Sequence, residues 1–268
     1  MKKVTESTSR YNNLEQMEVH EIITSINRED NRVAKAVQEC LPAIEQLIEA
    51  VLPNFSRGGR LFYLGAGTSG RLGVVDASEI PPTFGMPHDR IIGLIAGGDR
   101  AIRKAVEFAE DSHQLAAGDL DAYDLTNQDA VIGIAASGTT PYVIGGVEHA
   151  ANRGCVTGCI TNNEGSPLAL AVRYPVEVMV GPEFVTGSTR MKSGTAQKMV
   201  LNIISTTLMI KIGRVKGNKM VNMQLNNNKL VARGVRFIEE ELGIPETEAR
   251  KLLDRYGSVR KALEAYKQ

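Results

Sequence analysis

The chain has 268 residues, with Lys+Arg and Asp+Glu both at 31 and hydrophobic residues at 43%. That length can hold one sizeable α/β core and a smaller appendage. Zero formal net charge removes the electrostatic case for nucleic acid or a membrane surface, and there is no basic stripe interleaved with aromatics, so a small-molecule ligand is favoured.

The polar opening, MKKVTESTSRYNN, has no apolar run behind its lysines, so export is not supported and the cytoplasm is the expected compartment. Two helix-like stretches follow, MEVHEIITSIN and VAKAVQECLPAIEQLIEAVL, and read as an N-terminal helical arm over residues 1–56. Ser56-Arg57-Gly58-Gly59 is the hinge into the core, expected over 57–216. Short apolar runs at 61–64, 91–96, 130–136, 156–160 and 176–180 then alternate with helical segments. This alternation predicts a doubly wound, parallel, five-stranded α/β sheet covered on both faces, with ligands at the C-terminal strand ends.

The most informative stretch is LFYLGAGTSGRLGVVDASEIPPTFG, an apolar strand leading into a Gly/Thr/Ser loop, a helix carrying Glu79, and a Pro-Pro stop. Gly65 and Gly67 permit a tight path on which main-chain N–H groups converge on an anion. Thr68 and Ser69 add hydroxyls, Arg71 adds a cation, and a helix starting near Gly70 favours phosphate there. The same residues are a literal G-x-G-x-x-G, so a dinucleotide site and a purely structural turn stand beside the phosphosugar reading. The dinucleotide fit is loose, because Asp89 precedes the next apolar run and Asp99 comes late. At helical spacing Glu79 lies over Leu72 and Val75, on a side expected to be partly buried, which would suit a general acid; the alternative is a frayed last-turn glutamate.

The next helix is expected over 100–116. Glu110 borders its apolar arc of Ala101, Ile102, Ala105, Val106, Phe108 and Ala109, whereas Glu107 points away, so Glu110 is preferred as the cleft residue. Asp111 and His113 read as surface or boundary residues. A second hydroxyl loop, Ser137-Gly138-Thr139-Thr140, precedes Pro141 as a first helical residue; it either caps that helix or shares a phosphate or hydroxyl-rich ligand with the first loop. Glu183, Thr186, Ser188, Thr189, Arg190 and Lys192 run into the long apolar helix expected over 191–212. They can cap it, line the pocket, or do both, with Arg190 and Lys192 opposing ligand charge.

Cys40, Cys155 and Cys159 have no His at metal-ligand spacing and read as buried thiols, and the histidines form no metal constellation. The apolar run 199–210 is interrupted by Asn202, Ser205, Thr206 and Thr207 and is a core helix rather than a span. Beyond residue 216 three short amphipathic pieces, with Gly243 and Gly257 as stops, make a helical module over 217–268.

Taken together, LGAGTSGRLGVVDASEIPPTFG, GLIAGGDRAIRKAVEFAEDS, IGIAASGTTPYVIGG and VGPEFVTGSTRMKSGTAQKMVLN resemble the N-acetylmuramic acid 6-phosphate etherases, a family with a sugar isomerase (SIS) domain of flavodoxin-like topology. The resemblance runs over about 14–222. It implies cytosolic cleavage of the D-lactyl ether of N-acetylmuramate 6-phosphate without a cofactor or metal, as a salvage step for cell-wall sugar. It places the two catalytic glutamates at Glu79 and Glu110. It also implies a homodimer with sites near the subunit interface and a ubiquitin-associated-like C-terminal module; the candidate substrate contacts from the loops and the polar cluster are Gly67, Thr68, Ser69, Arg71, Ser137, Thr139, Thr140, Glu183, Ser188, Thr189, Arg190 and Lys192. Ile80, Phe108, Thr189 and Ser193 depart mildly from the usual pattern, and Thr139 stands where some relatives have Arg. An aldose–ketose phosphosugar isomerase and a non-catalytic phosphosugar sensor are the competing readings; a DNA-binding regulator is disfavoured by the acidic arm.

Overall fold

All of the expected apolar runs become strands: β1 (Leu61–Gly65), β2 (Ile91–Ile95), β3 (Ala130–Ile134), β4 (Val156–Thr161) and β5 (Tyr174–Glu177). The computed structural model describes residues 3–266. The strands form one parallel sheet in the order β2-β1-β3-β4-β5. Every residue of β1 and β3 is buried, as a parallel strand covered on both faces requires. In this order the winding reverses between β1 and β3, where Gly65 pairs with Ile134, and the crevice beyond their C-terminal ends is the place for a ligand.

The helices are α1 (Val19–Asp30), α2 (Val33–Glu39), α3 (Leu41–Ser56), α4 (Gly67–Phe84), α5 (Arg100–Arg103), α6 (Leu115–Asp121), α7 (Pro141–Asn152), α8 (Pro167–Leu170), α9 (Lys192–Lys211), α10 (Asn228–Leu242), α11 (Glu246–Tyr256) and α12 (Val259–Tyr266). On one face of the sheet Phe62, Leu64 and Val131 pack with Val143, Val147 and Leu168 in a common core. On the other, α3 lies against β4 and β5. Among the described residues no helix is long and apolar enough to cross a membrane.

Four local expectations change. The second stretch of the arm splits into α2 and α3 at Cys40, because Pro42 starts a helix but cannot continue one. Pro81 and Pro82 do not stop α4; it runs two residues further and closes at Gly85, which takes φ +62° and donates its N–H to the Pro81 carbonyl. Of the helix expected over 100–116 only its first turn forms, as α5; an irregular segment follows, and α6 starts at Leu115. Strand β5 begins two residues earlier than expected, and Pro175 is tolerated because β5 is a sheet edge.

The chain divides into two compact units, one of Met1–Ala77 with Ile91–Ile204 and one of Ser78–Arg90 with Ser205–Gln268. These boundaries fall elsewhere than at 56 and 216: the N-terminal arm belongs with the sheet, and the second unit takes up the end of α9. Within that second unit α10, α11 and α12 enclose their own core of Val235, Ile238, Leu253, Val259 and Leu263. Asn227 caps α10 by accepting from the Leu230 N–H at 2.9 Å, and Gly243 and Gly257 end α10 and α11 in the left-handed conformation.

Candidate active site

The β1–α4 junction is built on glycine for two separate reasons. Gly65 and Gly70 let the strand end and the helix start touch: a Cβ added to Gly70 would stand 2.6 Å from Ile95 Cγ1 and 2.8 Å from the Gly65 carbonyl oxygen. Gly67 opens α4 at φ +51°, a conformation that costs an L side chain. The helix therefore begins at the strand's end, with its unpaired N–H groups and positive dipole beside a cavity of about 250 Å³. Ala66, Gly67 and Arg71 line this cavity from one side and residues 105–111 from the other. The Arg71 guanidinium donates to the Ala101 and Ile102 carbonyls at 2.7 and 2.8 Å, fixing α5 as part of the wall.

Glu110 lines the cavity, but not by way of a helical arc. It sits in a turn in which Asp111 N–H donates to the Phe108 carbonyl, and its own carbonyl accepts from the Tyr142 N–H at the start of α7. Glu107 lines the cavity too, and both carboxylates are exposed, so the helical-face argument that separated them does not hold. Glu79 is exposed, not partly buried as expected, and belongs to the second compact unit, whereas Glu110 belongs to the first. Asp111 and His113 are at the surface, as expected, and His113 pairs with Glu148.

The two hydroxyl loops are joined by a string of hydrogen bonds. Buried Ser69 donates to Gln197 Oε1 at 2.9 Å; the Gln197 amide donates to Asn162 Oδ1; and the adjacent Asn163 donates to the Ser137 carbonyl at 3.0 Å. Asn163 also exchanges two hydrogen bonds with Thr5, accepting from its N–H and donating to its Oγ1. In the second loop the Thr139 N–H and hydroxyl both donate to Ser137 Oγ, and Pro141 opens α7. Thr140 occupies the N-cap position without a side-chain capping bond.

The third cluster separates by role. Buried Glu183 caps α9, accepting from the Lys192 and Ser193 N–H groups at 2.9 Å and from the Ser193 hydroxyl at 2.7 Å. The buried Lys192 ammonium is committed to Glu29, which also faces Arg10 and Arg32. Burial alone would raise the Glu29 carboxyl, but Lys192, then Arg32 and Arg10, outweigh it and hold it below the usual carboxylate range. Arg190 is exposed and lines a second cavity of about 360 Å³ with Thr68, Leu72, Gly194, Lys198 and neighbours; Ser188 and Thr189 are half-buried. Glu29, Gln197 and Asn163 were not singled out from sequence. Glu29 reads there as one more charge of an acidic arm, and only the three-dimensional partner Lys192 reveals it. The Cys155 and Cys159 thiols are buried, and burial pushes them up to about 11 and about 12, as inert core thiols.

Comparison with known proteins agrees with this fold. Residues 102–206 match the SIS domain model, and residues 43–151 match the N-terminal SIS domain of glucokinase regulatory protein. The chain is 60% identical over 263 residues to the N-acetylmuramic acid 6-phosphate etherase of Christiangramia forsetii, covering 98% of this chain and 96% of that one. It is 60% identical to the etherase of Porphyromonas gingivalis, covering 99% and 97%, and 54% identical to that of Cronobacter sakazakii, covering 87% and 78%. The fold is also that of the phosphoheptose isomerases of Francisella tularensis (TM-score 0.51, 20% identity, covering 74% of this chain and 100% of that one) and Neisseria gonorrhoeae (0.53, 16%, 71% and 99%).

Proposed function

The chain belongs to the N-acetylmuramic acid 6-phosphate etherase family, and from that premise we propose that it cleaves the D-lactyl ether of N-acetylmuramate 6-phosphate with water, giving N-acetylglucosamine 6-phosphate and D-lactate. The observation that carries this reading is 60% identity along 98% of the chain.

In the proposed reaction the sugar opens to its aldehyde, which acidifies the C2 proton. Glu110 takes that proton; the electron pair forms the C2–C3 double bond, and the C3–O bond to lactate breaks. Glu79 gives a proton to the departing lactate oxygen. Water then adds its oxygen to C3 and a proton returns to C2, regenerating both carboxyl groups. Each positioned acid or base contributes about 10²- to 10⁴-fold. The α4 N-terminus with Thr68 and Ser69, and the loop of Ser137, Thr139 and Thr140, are assigned to the phosphate and sugar hydroxyls. Gly67, Arg71, Glu183, Ser188, Thr189, Arg190 and Lys192 complete the proposed binding set, Glu183 and Lys192 acting by fixing the start of α9.

The same reading makes the enzyme a cytoplasmic homodimer in the salvage of cell-wall sugar, with its sites near the subunit interface and residues 217–268 as a ubiquitin-associated-like module. The test is to incubate the purified chain with N-acetylmuramate 6-phosphate and assay D-lactate, with Glu79→Gln and Glu110→Gln alongside. Release by the wild type, falling about 10²-fold or more in either variant, is expected. No release with retained phosphosugar binding would make the chain a sensor instead.

A further inference from the structure

Phe108 is the residue of the cavity wall that packing does not explain. It has φ +58°, a conformation disfavoured for any non-glycine residue and most of all for a bulky one, and the residue is 79% exposed, so burial offsets little of that cost. A local strain with no packing return, beside a cavity, points to a ligand role. The turn closed by the Asp111 N–H on the Phe108 carbonyl carries Phe108 and Glu110 together, and both line the same cavity. The lining around them is mixed: Ala101, Ala105, Val106 and Ala109 alternate with the charged Arg71, Glu107 and Asp111. The α4 side of this cavity suits an anion, whereas the exposed ring of Phe108 with the small apolar side chains beside it suits a methyl-bearing planar amide.

We propose that Phe108 is a specificity-determining residue that packs its ring on the acetamido group at C2 of the sugar. This rests on the reading in which Glu110 works at C2: the substituent on that carbon is the one nearest to Glu110, and Phe108 stands on the same turn. A planar amide laid on an aromatic face is favourable, and the ligand would supply the cover that the free ring lacks.

The test measures binding of N-acetylglucosamine 6-phosphate and of glucose 6-phosphate, which lacks the acetamido group, by calorimetry on the full chain and on Phe108→Gly and Phe108→Tyr. Glycine accepts the left-handed backbone, so Phe108→Gly should melt no lower than wild type, and lost affinity would not reflect unfolding. The expected result is about five- to tenfold weaker binding of N-acetylglucosamine 6-phosphate by Phe108→Gly, glucose 6-phosphate within about twofold, and near-wild-type behaviour of Phe108→Tyr. Unchanged binding of both sugars, or equal loss of both, overturns the inference. If the wild type releases D-lactate while Phe108→Gly binds normally, this inference alone fails. If the wild type neither binds these sugars nor releases D-lactate, the functional reading fails with it.

Discussion

The Lys192 ammonium lies 2.5 Å from the Glu29 carboxylate, and both side chains are buried. One comes from the first turn of α9 and the other from the end of α1, so this pair ties the N-terminal arm to the helix that follows the sheet. Glu29→Gln should cost about 3–5 kcal/mol, because it strands a buried ammonium. Replacing both, as Glu29→Leu with Lys192→Met, should recover most of that loss in urea titration. If Lys192 acts by fixing α9, the double variant keeps the wild-type KM; a large rise in KM at full stability would assign the ammonium to substrate.

Asp129 is one of the carboxylates that should set the acid limit of stability. Its carboxylate accepts from the Arg60 N–H and guanidinium and from the Thr126 N–H and hydroxyl. Burial pushes this carboxyl up, but the Arg60 and Thr126 bonds outweigh it and hold the group below the ordinary range. The unfolded chain therefore binds the proton more tightly. The stabilisation is present above about 3.9, the ordinary aspartate value, and is lost as pH falls through the lower folded value. Asp129→Asn should lower stability by about 1–3 kcal/mol at neutral pH and flatten the acid limb of the urea midpoint against pH.

Gly70 has no space for a methyl group, since Ile95 and the Gly65 carbonyl already occupy it. Gly70→Ala should cost about 1–3 kcal/mol through overpacking and push the start of α4 off the strand end. Melting temperature and KM for the phosphosugar should therefore worsen together. A variant that is destabilised but keeps its KM would show that the α4 start does not hold the phosphate.

Gln197 joins the two hydroxyl loops, so Gln197→Ala should loosen both. The expected loss is about 1–3 kcal/mol, from leaving the Ser69 hydroxyl and the Asn162 amide oxygen short of a partner. Faster amide exchange at Ser69 and in the Ser137 loop, measured by mass spectrometry, would report the coupling; a change confined to one loop would refute it.

The sheet was legible because parallel strands buried on both faces must be continuously apolar, and the runs at 61, 91, 130, 156 and 176 have no competing periodicity. The tight β1–α4 junction was legible because only glycine fits its backbone at Gly65, Gly67 and Gly70. The preference for Glu110 over Glu107 rested on a helical arc that does not form: Ala105, Val106 and Ala109 have helical spacing, yet they line a cavity from an irregular segment, as do both glutamates. Local pattern cannot distinguish an apolar arc that packs from one that waits for a ligand. Glu29 and Thr5 were invisible because a charge or a hydroxyl in a polar N-terminal stretch carries no mark of the partner that buries it.

Thr5 and Asn163 are 158 residues apart, yet the first is bonded to the residue that holds the Ser137 carbonyl. In a mutational scan, then, damage at Thr5 would report as a fault of the loop after β3, and the two positions would rise and fall together. Thr5 is, in effect, a remote support of the loop after β3, and removing it would loosen that loop from the far end of the chain.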